Sequence, residues 1–124
     1  MGLLVLYEDN HLIAVKKEPG SIVQSDKTGD ETLAEEVKAY IKRKYKKPGD
    51  VFLGIIHRLD RPVGGVIVFA RTSKALTRMN ELFREKKISK TYWAIVEEKP
   101  PIEDGQLVNW LKKNQDKNRS RAYD

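Results

Sequence analysis

The stretch "GIIHRLDRPVGGVIVFARTSKA", residues 54–75, constrains the fold more than any other part of the chain. Two β-branched apolar runs, "VFLGIIH" and "GVIVFAR", flank a charged turn. Short runs with so little polar alternation suit strands covered on both faces. The turn between them carries His57, Arg58, Asp60 and Arg61. A turn framed by two buried strands is a rigid mount for chemistry.

The rest of the chain is read around that centre. "LLVLYED" and "HLIAVKKE" are two further strands, with Asp9–Asn10 in the turn between them. "DETLAEEVKAYIKRKYKKPGD" is a helix. Thr32 and Glu35 have capping-box spacing, Leu33, Val37, Tyr40 and Ile41 share one face, and Pro48–Gly49 stops it. "TSKALTRMNELFREKKI" is a second helix capped by Thr72 or Ser73, with Ala75, Leu76, Met79, Leu82 and Phe83 as its core face. "KTYWAIVEEKPP" reads as a strand with Trp93 facing the core, and "GQLVNWL" as another. The tail, residues 112–124, is polar and without period, a loop or a disordered end. Strands and helices mix without a strict βαβ rhythm. The fold class is therefore α+β, a mixed, mainly antiparallel sheet with two packed helices, in one domain spanning residues 1–124.

Composition narrows the chemistry. The 24 Lys and Arg outnumber the 18 Asp and Glu, so the formal net charge is +6 and polyanions are natural partners. A lysine-solubilised surface with no such partner gives the same numbers. There is no cysteine, and His11 and His57 stand in unrelated segments, so no transition-metal site is expected. "VGG" is too short for a phosphate-binding glycine loop, and no Gly-x-Ser-x-Gly elbow is present. The apolar start is broken at Glu8 and Asp9, so neither a signal peptide nor a membrane span is expected. A cytoplasmic monomer is the default expectation.

Taken alone, "HRLDR" leaves two accounts open. It is a solvated turn whose Asp60 is neutralised by Arg58 and Arg61. The alternative is a site in which flanking cations keep a carboxylate ionised as nucleophile or base, while arginines hold phosphates.

The stretch "HRLDRPVGGVIVFARTSKA" resembles the signature of the RluA family of RNA pseudouridine synthases. "LYEDNHLIAVKKEPGSIVQSD" resembles that family's opening strand pair and Pro-Gly turn, and "KTYWAIVEEKP" its Lys-x-Tyr-x-Ala-x-Val strand. The resemblance implies isomerisation of uridine to pseudouridine in ribosomal or transfer RNA, through a flipped-out nucleotide and without a cofactor. It implies Asp60 and Tyr92 as catalytic residues, Asp60 attacking the nucleotide and Tyr92 packing on the uracil. It gives Arg58 a place around the flipped nucleotide, with His57 and Leu59 shaping the loop. Arg61 and Arg71 join Arg58 and His57 as the expected RNA-binding set. A catalytically inactive RNA-binding module of the same fold is the alternative.

Two departures from the family stand out. Its serine after Thr or Val is Gly64 here. Its later strands, with a Gly-Arg-x-His-Gln-type motif and the basic partner of the catalytic aspartate, have no counterpart before Asp124. An incomplete catalytic domain with weak or no activity of its own is expected.

Overall fold

A computed structural model describes residues 2–124. The chain divides into two compact units, residues 1–90 and 91–124.

The first unit is α+β, as expected. It contains β1 (Val5–Glu8), β2 (Leu12–Lys17), α1 (Leu33–Lys44), β3 (Gly54–Ile55), β4 (Gly65–Ala70) and α2 (Ser73–Arg84). The strands form one antiparallel sheet in the order β1-β2-β4-β3. Register aligns Ile13 with Phe69 and Val15 with Ile67. All four are fully buried, and Val37 and Ile41 of α1 close over the same cluster. At roughly 25 cal/mol per Å² of apolar surface, a layer of this kind is the main stabilising term of a small unit. Glycine at position 54 lets α2 approach the sheet, since a Cβ there would meet the Leu76 side chain at 2.9 Å. Gly54 is paired with Ala70, so α2 lies on the face opposite Phe69.

Local signals set the helix ends. Thr32 and Glu35 form the reciprocal capping box, with Glu35 N–H to Thr32 Oγ1 at 3.1 Å and Thr32 N–H to Glu35 Oε2 at 2.9 Å. The next free amides, of Leu33 and Ala34, donate to the carbonyls of Ile22 and Val23. Thr72 caps α2 by accepting from Ala75 N–H. Both helices stop before any proline. Lys46 and Lys86 turn left-handed, and the following amides reach back to Lys42 and Leu82 in the six-to-one bond of a Schellman end.

Four expectations are corrected. The β3 run shrinks to two paired residues. β4 is not covered on both faces, because Val66 is exposed and Val68 half-buried. On α2 only Ala75 is buried, while Leu76, Met79, Leu82 and Phe83 are half-covered. "KTYWAIV" forms no strand, and Trp93, expected in the core, is 96% exposed. A strand exists through its hydrogen-bonded neighbour, and none pairs with this segment among the described residues.

In the second unit the tail is ordered. β5 (Trp110–Asn114) and β6 (Arg119–Tyr123) make an antiparallel hairpin. Of "GQLVNWL", only Trp110 and Leu111 enter a strand. Asn118 adopts a left-handed conformation in the turn, and Asn114 Oδ1 accepts the Lys117 N–H at 3.1 Å. No helix among the described residues is long and apolar enough to cross a membrane.

Candidate active site

Lys17 is the residue that organises the charged turn. It continues the inward phase of Ile13 and Val15, and its side chain is fully buried. The ammonium donates to the carbonyl oxygens of Glu18 at 3.2 Å, Arg61 at 3.0 Å and Val63 at 2.6 Å. Gly20 N–H also donates to Arg61 O at 2.7 Å. The turn after Asp60 is thereby fastened to the turn after β2, some forty residues earlier in the chain. Burial holds the Lys17 pKa below its ordinary value, and the Arg61 charge acts the same way, while Asp60 opposes both. Sequence reasoning passed over Lys17, although its strand parity marked it as inward-facing.

Asp60 opens this turn and is exposed. Its backbone carbonyl accepts the Val63 N–H at 2.9 Å, closing a four-residue turn. Among the described residues, no cation lies within ion-pair distance of its carboxylate and no side chain or amide donates to it. Both accounts of the turn placed Arg58 and Arg61 against this carboxylate, and that placement is corrected. Arg61 points away, bridging Asp26 and Asp30 at 3.2 Å each and donating to Gly20 O at 3.1 Å. Arg58 is exposed, and its contact is Gln24 Oε1 at 3.4 Å. The carboxylate is left free by both arginines and is open to solvent.

His57 fixes the other end of the turn. Its Nε2 accepts the Val68 N–H at 3.0 Å, and its ring stacks on Phe83 with centroids 5.2 Å apart. An imidazole that accepts at Nε2 carries its proton on Nδ1 and is neutral. Burial, then the Lys90 charge, holds its pKa below the ordinary value. His57 thus ties the turn to β4 and α2.

Arg71, expected among the RNA contacts, is instead enclosed, with a side chain 9% exposed. Its guanidinium donates to Asp9 O at 2.5 Å, lies 4.3 Å over the Tyr45 ring and sits 3.9 Å from Glu8. Glu8 also accepts from Tyr40, Lys44 and Tyr45, whose hydrogen bonds hold its pKa down against the effect of burial. Tyr92 lies in the second unit, in a segment without regular structure, and its ring is largely exposed.

Known proteins resemble this chain in sequence and fold. A family profile described as RNA pseudouridylate synthase covers residues 11–124. The chain belongs to that family. It is 34% identical over 117 residues to ribosomal large subunit pseudouridine synthase C of Buchnera aphidicola subsp. Acyrthosiphon pisum, a match covering 94% of this chain and 35% of that protein. It is 33% identical over 93 residues to the protein of that name from Escherichia coli K12, covering 75% of this chain and 27% of the other. A solved structure titled human RNA pseudouridylate synthase domain containing 4 superposes with a TM-score of 0.57 at 25% identity, over 68% of this chain and 30% of that one. The chain spans about a third of the length of the curated relatives it matches. The resemblance carried by "HRLDR" is thus a true kinship with pseudouridylate synthases, and the α+β fold agrees with it.

Proposed function

We propose that this chain is the catalytic part of an enzyme that converts uridine to pseudouridine in RNA, with Asp60 as its nucleophile. The observation that carries the reading is the exposed, unpaired Asp60 carboxylate on a turn fastened by Lys17 and His57, in a chain of this family. In the reaction the N1–C1′ bond breaks, the uracil turns, C5 bonds to C1′, and the C5 proton leaves as N1 gains one. A carboxylate able to add to the sugar, or to assist its deprotonation, serves that sequence without an activated water. A uridine within folded RNA exposes neither C1′ nor its ring face until it is flipped out, which costs a few kcal/mol. Arg58, long, cationic and weakly held by Gln24, suits the gap the base leaves. The exposed Tyr92 ring suits stacking on the uracil.

Arg61 is committed to Asp26 and Asp30 and contacts phosphate only at its exposed edge. Arg71 and His57 are assigned to holding the frame, since both are spent on internal partners. The names of the curated relatives favour ribosomal over transfer RNA as the substrate. Both units are read as parts of one catalytic domain.

Tritium release from RNA labelled at uridine C5 tests the reading, with the chain in excess over RNA. Slow release is expected, and Asp60→Asn abolishes it while sparing RNA binding. Tyr92→Phe slows release and also spares binding. Release that survives in Asp60→Asn removes Asp60 from the chemistry. Salt-sensitive RNA binding with no release from the unmodified chain points to an inactive RNA-binding module instead.

A further inference from the structure

We propose that one face of the β5–β6 hairpin is a binding surface for an unpaired stretch of RNA. Strand register decides which side chains share that face. Trp110 pairs with Tyr123, Lys112 with Arg121 and Asn114 with Arg119, and alternation puts all six on the same side. The opposite side holds Leu111, Ala122, Lys113 and Ser120. The six form a ladder with two aromatic rings at one end, two cations in the middle, and a third cation with an amide at the other. Trp110 is 80% exposed and Tyr123 47%. The Arg121 guanidinium carbon lies 5.8 Å from the Tyr123 ring centre, which holds the ladder's central cation against its aromatic end.

The charges on this hairpin are free. Among the described residues, none of Lys112, Lys113, Lys117, Arg119 or Arg121 takes part in an ion pair. Some cations of the first unit are instead spent on carboxylates, as at Arg61 and Lys44. A shallow groove at the cationic part is lined by Lys112, Arg119, Arg121 and Tyr123 of this face and also by Lys113 and Ser120 of the other. Unpaired cations beside open aromatic faces match a phosphate backbone with unstacked bases, each of which can lie on a ring. An acidic peptide would satisfy the cations and leave the rings unused. A membrane would need a continuous apolar strip, which this face lacks.

The inference rests on RNA being the partner proposed above, but not on Asp60 chemistry, and one set of variants separates the two. In a Trp93→Phe background Trp110 is the sole indole, and adding a short oligouridylate should quench its fluorescence. The joint variant Lys112→Ala, Arg121→Ala should bind about ten-fold more weakly at low salt, with a log–log salt slope shallower by about 1.4 for two lost single-strand phosphate contacts. Trp110→Ala, followed by anisotropy of labelled RNA, should lose about five-fold or more in affinity with the slope unchanged. Asp60→Asn should bind oligouridylate like the unmodified chain. Absent quenching, or an unchanged affinity and slope in the joint variant, overturns the proposal, as does equal binding of polyglutamate. Hairpin variants that bind normally while Asp60-dependent tritium release continues would leave the reaction standing without this surface. Loss of binding in the hairpin variants of a chain that releases no tritium would leave the surface standing without the reaction.

Discussion

A Cβ built on Gly64 falls 2.9 Å from Pro19 Cδ, 3.0 Å from Pro19 Cγ and 3.2 Å from the Lys17 carbonyl oxygen. A serine at this place has no room, because the proline ring and main chain fill the space. Neither neighbour is the free end of a flexible side chain, so relief requires the two turns to separate. Gly64→Ser is expected to cost about 1–3 kcal/mol by urea denaturation, the range for an overpacked contact. Pro19→Ala in the same chain should restore most of the loss, and equal losses in both backgrounds would show that the two do not touch. The sequence displays the missing serine plainly. It does not display the ring that replaces it, because Pro19 and Gly64 meet only when Lys17 draws the two turns together. The unpaired state of Asp60 was hidden for a similar reason. Its neighbours in sequence are arginines, but their reach is decided by Asp26, Asp30 and Gln24 on a distant loop.

His57 couples three elements, and its coupling has a pH signature. In the folded chain burial and the Lys90 charge hold the imidazole below the ordinary value near 6.5. As pH falls through that ordinary value the unfolded chain takes up a proton that the folded chain refuses. The stability that neutral His57 contributes is therefore full above the unfolded pKa and is lost as pH falls toward the folded one. Urea midpoints measured from pH 7.5 to 5 should decline, and His57→Gln, which cannot titrate, should flatten the decline. An equal slope in that variant would assign the effect to another group. Among the elements themselves, those specified by near neighbours were legible. The capping box of α1, the Thr72 cap of α2 and the Asp9 turn all lie within a few residues of what they cap. Asp9 accepts the amides of Leu12 and His11, which hold its pKa down to about 2. What was misread depends on distant partners. "KTYWAIV" has every local mark of a strand and no neighbour to pair with among the described residues, while the polar tail finds its partner across a short turn.

Across the chain, structure and charge are unevenly divided. Among the described residues, every buried one lies between Ile13 and Ala75, in the first unit. The second unit consists of exposed side chains and one hairpin. A chain ending at Lys90 should therefore unfold with a urea midpoint close to that of the whole, since the buried layer is untouched. A large drop in midpoint would mean that residues 91–124 contribute to the core in solution. Net charge reads the molecule as a polyanion binder only in general terms. The fold sharpens this by separating cations spent on carboxylates, such as Arg61 and Arg71, from those on the hairpin that meet solvent.

Lys17 grips the turn through main-chain oxygens alone. The clasp is therefore blind to which side chains stand at positions 61 and 63. Substitution at those positions can therefore rewrite the rim around Asp60 while the main chain of the turn keeps its place, and on the proposed reading the choice of target can change without moving the carboxylate.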